Sequence, residues 1–309
     1  MSGPQRILVT GASGFVGRAL VRSLCESGYD VRAASRMPLG AIEPMPVVGW
    51  HRADITTDAL DPLLEGIDGV IHAAGIAHAK AAEAQHQRVT VEGTRRLVEA
   101  MRRNGTGRLV FISSIRAQVG AYSLRRVADG HSMAPADAYG RAKRDAEEVV
   151  ATSGLDTTIL RPVLVADVGA RGNLAALLRL AQTPLPLPFA ALTAKRSLVS
   201  RRALADAVLF ALRNSATSGR RFNVADPEPL DPAQIVTIFR RGLGQPLRLT
   251  AVPEPLLREV LRLVGQSRMF DRLARPLVVA ADGLHSLGWT APEWAAEALY
   301  RMARQARAS

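Results

Sequence analysis

A tyrosine and a lysine stand four residues apart in the stretch AYGRAK, residues 138–143. Four residues make about one turn of an α-helix, so Tyr139 and Lys143 would share one helix face. The ordinary pKa of a tyrosine is about 10, too high for a base at neutral pH, but a nearby positive charge such as an ammonium favours the ionised form. The pair therefore indicates proton transfer at a substrate oxygen.

Two serines precede this pair in the chain. Ser113 and Ser114 end the apolar run LVFISS, at the point where a strand is predicted to stop. A serine hydroxyl can hold and polarise a substrate oxygen while a tyrosine exchanges its proton with that oxygen. We therefore predict Ser114, Tyr139 and Lys143 as the catalytic group, with Ser113 as a further contact to the substrate.

The stretch ILVTGASGFVGRAL begins with a strand pattern and ends with a helix pattern. Its glycines, Gly11, Gly14 and Gly17, have the spacing G-x-x-G-x-x-G. Glycine at these positions permits a tight turn, close approach of a diphosphate, and packing of the helix on the strand. The helix N-terminus then offers N–H groups to the phosphates. This junction therefore predicts a dinucleotide site. A bound dinucleotide would transfer the hydride at the carbon whose oxygen exchanges the proton.

The end of the second predicted strand favours one of the two nicotinamide dinucleotides. An acidic residue there would bind the adenine ribose hydroxyls and favour NAD, but this chain has Ser35 and Arg36. A hydroxyl and a guanidinium suit a 2′-phosphate, so NADP is favoured over NAD. The alternative, that Arg36 is a solvated loop residue, stays open.

Alternating strand and helix patterns must position these residues. Strands are predicted at Arg6–Thr10, Asp30–Ser35, Val47–Ala53, Gly69–Ala74, Arg108–Ser113 and Thr157–Arg161, with helices near 14–27, 58–65, 82–104 and 137–153. This alternation predicts an α/β fold, a Rossmann-type doubly wound parallel sheet with helices on both faces. Ligands of such sheets bind at the carboxyl ends of the strands, where the glycine turn and the serines fall.

The pattern changes after Pro162. Helices are predicted near 172–182, 203–213, 231–243, 253–264 and 293–306, separated by turns rich in proline and glycine. We therefore divide the chain into a dinucleotide-binding domain, residues 1–162, and a smaller, mostly helical substrate-binding lobe, residues 163–309, which interleaves with the sheet. The amphipathic stretch PEPLLREVLRLV favours packing or an oligomer contact over membrane attachment, and leaves a homodimer open.

Composition narrows the functional classes. The chain has 309 residues, 48% of them apolar, and one cysteine, Cys25, which excludes an intrachain disulfide. The lone cysteine predicts a reducing cytoplasm, the strand pattern near the start predicts no signal peptide, and apolar runs shorter than about 18 residues predict no inserted membrane segment. The net charge of +12 comes mainly from arginine, because lysine occurs only at positions 80, 143 and 195. These arginines are scattered, with no basic stripe among aromatics, so a phosphate-bearing small substrate is favoured over nucleic acid.

Metal catalysis has no support in the sequence. The six histidines show no H-x-x-x-H spacing, and no cysteine cluster accompanies them. We therefore predict no metal site. His78, which follows the stretch HAAG, is interpreted as a loop residue, with a place in the substrate pocket as the alternative.

Taken together, these motifs resemble the extended branch of the short-chain dehydrogenase/reductase superfamily, which contains nucleotide-sugar epimerases, dehydratases and reductases. The resemblance extends over nearly the whole chain. It is carried by TGASGFVG, by ADI at 53–55, HAAG at 72–75, VEGTRRLVEA at 91–100, FISS at 111–114, YGRAK at 139–143 and LRPVLV at 160–165.

The resemblance implies which residues touch the cofactor and the substrate. The cofactor contacts would be Gly11, Ser13, Gly14, Phe15, Val16, Gly17, Ser35, Arg36, Asp54, Ile55, Ala73, Ala74, Gly75, Tyr139, Lys143, Pro162 and Val165. In the stretches RGNL and KRSLVSRRALADAV, Asn173 and Arg196 would reach the sugar nucleotide. Lys143 would also bond the nicotinamide ribose.

The same resemblance leaves three functions open. The first is NADPH-dependent reduction of a 4-keto nucleotide sugar in the synthesis of surface-polysaccharide precursors, with Tyr139 as the proton donor. The second is a UDP-sugar 4-epimerase with retained NAD, and the third is a non-catalytic dinucleotide-binding scaffold. Several residues depart from the family pattern: Thr90 stands where asparagine is common, Ala166-Asp167 replaces Tyr-Gly, and Arg201-Arg202 replaces Val-Asp. These departures bear on the substrate more than on the chemistry.

Overall fold

A computed structural model describes residues 5–37, 49–76, 81–131, 134–263 and 274–308. The strands are β1 (Arg6–Thr10), β2 (Asp30–Ser35), β3 (Gly49–Arg52), β4 (Gly69–His72), β5 (Arg108–Ile112), β6 (Asp156–Pro162), β7 (Leu164–Ala166), β8 (Leu198–Ser200) and β9 (Arg220–Val224). The α-helices are α1 (Phe15–Glu26), α2 (Asp61–Leu64), α3 (Glu83–His86), α4 (Gly93–Arg103), α5 (Ala138–Ala151), α6 (Asn173–Gln182), α7 (Arg201–Arg213), α8 (Pro232–Leu243), α9 (Glu254–Leu263), α10 (Asp282–Ser286) and α11 (Ala295–Ala308).

Seven strands form one parallel sheet in the order β3-β2-β1-β4-β5-β6-β9. Its central strands are apolar runs without alternation, because helices cover both faces. The order reverses at β1, where β2 lies on one side and β4 on the other. A crevice for a ligand is expected at the carboxyl ends of these strands. The predicted doubly wound parallel sheet is confirmed.

Three clusters of buried apolar residues hold the layers together. One lies between the sheet and the helices α1 and α7, and a second lies beneath α2, α4 and α5 on the other face. The third joins α6, α8 and α11 with the small parallel pair β7-β8, outside the main sheet. None of the described helices has the length and apolar character needed to cross a bilayer.

The predicted elements agree with the structure within a few residues. The first six strands of the sheet are all present, although positions 47 and 48 of the third predicted strand lie outside the described residues. The long helix predicted over 82–104 is divided into α3, the π-helix Gln87–Glu92 and α4. Such π-helical segments are frequent at functional sites, and this one packs against α5.

The sequence did not predict the seventh strand, β9, nor the short strands β7 and β8. Two arginines begin β9, so its apolar part is too short to show a strand pattern. It pairs with β6 from Thr158↔Arg220 to Pro162↔Val224, so the second part of the chain contributes an edge strand to the main sheet. This pairing agrees with an interleaved lobe. The division at residue 162 stays a prediction.

The amphipathic stretch PEPLLREVLRLV falls on α9. Leu257 of this helix is buried, whereas Leu256 and Leu263 are exposed. Packing therefore accounts for one side of the helix. A homodimer through the exposed side stays a prediction.

Candidate active site

The glycine turn joins β1 to α1 and leaves no space for side chains. A Cβ on Gly17 would lie 2.1 Å from the carbonyl oxygen of Gly11. A Cβ on Gly11 itself, whose φ is +70°, would lie 2.6 Å from the backbone nitrogen of Ala74. The requirement for glycine at both positions therefore comes from backbone packing against backbone.

The N-terminus of α1 can bind an anion. Gly14 is its N-cap and provides no side-chain hydrogen bond, so the N–H groups of Phe15, Val16 and Gly17 lack an intrahelical partner. Together with the positive end of the helix dipole, these groups suit a diphosphate. Ser13 lies in the same turn, where its carbonyl accepts a hydrogen bond from Arg18.

The predicted adenine contacts lie at the ends of β2 and β3. Ser35 is buried at the end of β2, and Arg36 after it is exposed. Asp54 and Ile55 follow β3, and Asp54 accepts hydrogen bonds from the backbone and hydroxyl of Thr56. Burial acts to raise the pKa of Asp54, but these bonds and the charges of Arg36 and Arg88 hold that pKa below its usual value. Arg36 and Asp54 therefore act on one another at this edge of the sheet.

The turn after β4 connects the glycine turn with Lys143. Ala73 and Ala74 lie against Gly11, and a Cβ on Gly75 would lie 3.4 Å from the ammonium nitrogen of Lys143. The dinucleotide contacts predicted in this turn therefore adjoin both the diphosphate site and the predicted catalytic lysine.

Close packing brings α5 onto the serine turn. The strand β5 ends at Ile112, and Ser114 caps the 3₁₀ turn Ile115–Ala117. A Cβ on Gly140 would lie 2.3 Å from the carbonyl oxygen of Arg116 in this turn. Gly140 follows Tyr139 directly, so the absence of a side chain there lets Tyr139 approach Ser114. The nearby Ser114 hydroxyl acts to lower the pKa of Tyr139.

An ion pair supports the same contact. Asp137 caps α5 by accepting a hydrogen bond from the backbone of Gly140 at 2.9 Å. Its other carboxylate oxygen accepts from the guanidinium of Arg116 at 2.6 Å. One carboxylate therefore fixes both the start of the helix and the turn that carries Ser114. Neither residue type nor spacing marks Asp137, Gly140 or Arg116 in the sequence, because each is an ordinary residue outside this packing.

Lys143 is buried one turn after Tyr139. Its ammonium donates to the carbonyl of Ile112 at 2.8 Å and lies 4.8 Å from the ring centroid of Phe111. Burial lowers the pKa of Lys143 to about 8, although the charge of Glu147 acts to raise it. The lysine can therefore change its charge within the working pH range of an enzyme.

The pKa of Tyr139 differs from the expectation for a base. Burial raises the pKa of Tyr139, and the hydrogen bond with Ser114 and the charge of Arg116 offset only part of this effect. In the protein without ligands the phenol is therefore protonated at neutral pH. The group is ready to donate a proton to an oxygen.

Ser113 has a partner other than a substrate. Its hydroxyl donates to the carboxylate of Glu147, which also pairs with Arg161 at 2.6 Å. Both Ser113 and Glu147 are buried. The predicted contact between Ser113 and the substrate stays a prediction. In this structure the residue belongs to a buried ion-pair network beside the predicted catalytic group.

His72 is another residue whose importance the sequence did not show. Its ring nitrogens share hydrogen bonds with the hydroxyl groups of Thr10, at 2.6 Å, and Thr94, at 2.9 Å. Burial and the charge of Lys143 lower the pKa of His72 to about 3. The histidine is therefore a neutral link between β1, β4 and α4, directly below the glycine turn.

The other predicted contacts are spread along one side of the sheet and into the helical lobe. Pro162 ends β6, Val165 lies in β7, and Asn173 begins α6. The guanidinium of Arg196 donates to the carbonyls of Ala121 and Arg275, so it joins two loops in this structure. A nucleotide contact from Asn173 or Arg196 stays a prediction, and His78 lies outside the described residues.

Comparisons with known proteins agree with this geometry. Residues 7–225 match the family described as NAD dependent epimerase/dehydratase. A protein named UDP-glucose 4-epimerase, from Vibrio cholerae, is 33% identical over 94% of this chain and 92% of its own length. An N-acetyl-alpha-D-glucosaminyl-diphospho-ditrans,octacis-undecaprenol 4-epimerase, from Escherichia coli O157:H7, is 26% identical over 82% of this chain and 76% of its own length.

A solved structure supports the same fold. The UDP-glucuronic acid 4-epimerase from Bacillus cereus in complex with NAD superposes with a TM-score of 0.79 at 19% sequence identity, covering 98% of this chain and 100% of that one. Since the family match spans well over half of the chain and a relative above 30% identity covers nearly all of it, this chain belongs to the NAD-dependent epimerase/dehydratase family of short-chain dehydrogenase-type enzymes.

Proposed function

We propose that this enzyme reduces a 4-keto nucleotide sugar with NADPH, in the synthesis of surface-polysaccharide precursors. The observation that carries the proposal is geometric: Lys143 lies one turn after Tyr139 on α5, and its ammonium bonds the carbonyl of Ile112 at the end of β5, beside the turn that Ser114 caps. Reduction of a ketone requires a proton donor at the oxygen, whereas oxidation of an alcohol requires a base there. Tyr139 is that donor, and burial keeps its phenol protonated by raising its pKa.

The chain's own groups have distinct tasks in this reaction. When NADPH is bound, its nicotinamide supplies the hydride that reduces the carbonyl carbon. Ser114 donates a hydrogen bond to the ketone oxygen and holds it beside Tyr139. Tyr139 gives that oxygen its phenolic proton, so the carbonyl becomes an alcohol. Lys143, as an ammonium, stabilises the phenolate that forms and bonds the nicotinamide ribose.

The dinucleotide site fits a phosphorylated adenosine. The glycine turn and the uncapped start of α1 can hold the diphosphate, with Ala73, Ala74 and Gly75 beside it. Arg36 is exposed at the end of β2, where a guanidinium can bind a 2′-phosphate. This position supports NADP over NAD.

The substrate class rests on the relatives. A relative aligned over nearly the full chain is named a UDP-glucose 4-epimerase, and a second is named a 4-epimerase of an undecaprenol-diphosphate sugar. Both names describe sugars joined to a diphosphate. Asn173 at the start of α6 is the residue we assign to the diphosphate of such a substrate.

The relative named UDP-glucose 4-epimerase, which aligns with 94% of this chain, supports a second candidate function. A 4-epimerase oxidises C4 of a UDP-sugar and reduces it again, with NAD retained between turnovers. The same Ser114, Tyr139 and Lys143 would serve both half-reactions. Ser35 and Arg36 favour the reductase, because a retained NAD has no 2′-phosphate for them to bind.

One experiment separates the two functions. The purified protein is denatured and any released dinucleotide is identified by mass spectrometry; the native protein is then assayed with NADPH and a UDP-4-keto-6-deoxy sugar. A reductase shows exchangeable NADP and consumes one NADPH for each ketone reduced. A second assay, with UDP-glucose and no added cofactor, is followed by NMR.

The outcomes are distinct. Conversion of UDP-glucose to UDP-galactose with retained NAD would replace the reductase by the epimerase. Failure of the native protein to bind any nicotinamide dinucleotide would eliminate both functions.

A further inference from the structure

Two departures from the family pattern meet in space. Asp167, which follows β7, accepts a hydrogen bond from the Nε of Arg201, the first residue of α7, at 2.8 Å. Asp167 also accepts from Arg301 in α11 at 2.9 Å, and Arg301 pairs in turn with Glu293. Asp167 and Arg201, which replace the usual residues at these positions, therefore form an ion pair with each other.

This pair places Arg201 against the glycine turn. The Nη1 of Arg201 donates to the carbonyl of Phe15 at 3.3 Å, and its guanidinium lies 4.8 Å from the centroid of the Phe15 ring. Phe15 is the first residue of α1. This contact places the guanidinium beside the first residue of α1, the helix whose N-terminal N–H groups are uncapped.

The position is unfavourable for a cation unless an anion is present. Arg201 occupies the first turn of α7, where the helix dipole disfavours positive charge, and it also lies beside the positive end of α1. Asp167 offsets this cost, but its carboxylate is shared with Arg301. Because Glu293 also pairs with Arg301, the two carboxylates balance the two guanidinium groups, and a further anion beside Arg201 would be attracted by the positive ends of α7 and α1.

Arg201 has hydrogen bonds left to give. A guanidinium has five N–H donors in a fixed fork. Within the described parts of the chain, Nε bonds Asp167 and Nη1 bonds Phe15, while Nη2 makes no hydrogen bond. The side chain keeps 23% of its surface exposed, so these donors can meet a ligand.

We infer that Arg201, oriented by Asp167, is a direct ligand of the diphosphate of the bound dinucleotide. The inference rests on the proposed function, since it requires that the glycine turn holds such a cofactor. Arg201 adds a charge-assisted hydrogen bond to the N–H groups of α1, and its stacking on Phe15 fixes the plane of the guanidinium. The same chemistry in a sugar nucleotide is the competing source, which the experiment separates.

The test is a binding titration that does not require turnover. NADPH is titrated into the wild type, Arg201→Met and Arg301→Met, with nucleotide fluorescence as the readout. Arg301→Met is the matched control, because it also removes an arginine from Asp167 but makes no contact with the glycine turn. We expect Arg201→Met to weaken NADPH binding about tenfold or more and Arg301→Met to change it less than threefold.

Two further measurements make the titration specific. The salt dependence of NADPH affinity should be weaker in Arg201→Met than in the wild type, because one phosphate contact is lost. Arg201→Lys should recover only part of the affinity, since an ammonium keeps the charge but lacks the fork and the stacking. Thermal unfolding of every variant shows whether it is folded.

A parallel titration with UDP-glucose tests the sugar nucleotide as the competing ligand. The inference is overturned if folded Arg201→Met binds NADPH as tightly as the wild type, or if Arg301→Met loses as much NADPH affinity. It is also overturned if Arg201→Met loses affinity for UDP-glucose alone. If the wild type itself binds no dinucleotide, the proposed function fails, and the inference fails with it. Binding by the wild type with no change in Arg201→Met removes the inference alone.

Discussion

The ammonium of Lys143 donates a hydrogen bond to the carbonyl of Ile112, the last residue of β5, across 2.8 Å. This bond ties α5 to the strand whose end carries Ser114. Gly140 lets the same helix close onto the turn after that strand. These two contacts between α5 and the end of β5 bring the three predicted catalytic residues together.

Replacement of Tyr139 by Phe should remove the proton donor while it keeps the ring. We expect kcat to fall about 10²–10⁴-fold, the usual contribution of a positioned acid, with NADPH affinity within about threefold of wild type. Steady-state kinetics and a binding titration measure the two quantities. Ser114→Ala should lower kcat by a smaller factor, and full activity in Tyr139→Phe would refute the assignment.

The activity should depend on the charge of Lys143. Burial lowers the pKa of this lysine to about 8, so the ammonium is present below that pH and is lost above it. We expect kcat/KM for NADPH to fall as pH rises through about 8, approaching tenfold per pH unit. Lys143→Met should be slow and should lack this limb of the profile. A wild-type profile that stays flat from pH 7 to 10 would contradict the prediction.

His72 should make folding stability depend on acid pH. The pKa of His72 is about 3 in the folded protein, against 6.5 for an ordinary histidine. Between these values the unfolded chain binds a proton that the folded protein does not, so His72 favours folding less as pH falls from 6.5 towards 3. Its contribution to the slope is at most about 1.4 kcal/mol per pH unit.

The variant His72→Gln tests this dependence, because an amide keeps hydrogen bonds to Thr10 and Thr94 but does not titrate there. Urea unfolding from pH 4 to 7 should show the advantage of the wild type shrinking as the pH is lowered. A constant difference between the two proteins over this range would show that His72 does not titrate in this way.

A methyl group at Gly17 should disrupt the dinucleotide site. Its Cβ would lie 2.1 Å from the backbone oxygen of Gly11, which has no freedom to move because Ala73 and Ala74 lie against it. We expect Gly17→Ala to destabilise the fold by about 3 kcal/mol or more. Gly107→Ala is the control, since no atom lies within 4 Å of its Cβ position. Thermal unfolding compares the two, and equal melting temperatures would contradict the prediction.

Local patterns were sufficient for much of the fold. Apolar runs without alternation, joined by helical periods, predict a parallel sheet, because strands covered on both faces need such runs. The glycine spacing at 11, 14 and 17 predicts the turn, since only backbone packing imposes it. The strand β9 escaped prediction, because pairing with β6 rather than its own short pattern makes it a strand.

The sequence by itself determined which chemistry is present: a serine, a tyrosine and a lysine at the spacing that one helix and one strand end can bring together. Only the tertiary structure decided how the tyrosine and the lysine titrate, because burial raises the pKa of Tyr139 and lowers that of Lys143. It also decided that Asp167 and Arg201, two departures from the family pattern, pair with each other. Burial and pairing depend on residues far apart in the chain, and no local pattern carries that information.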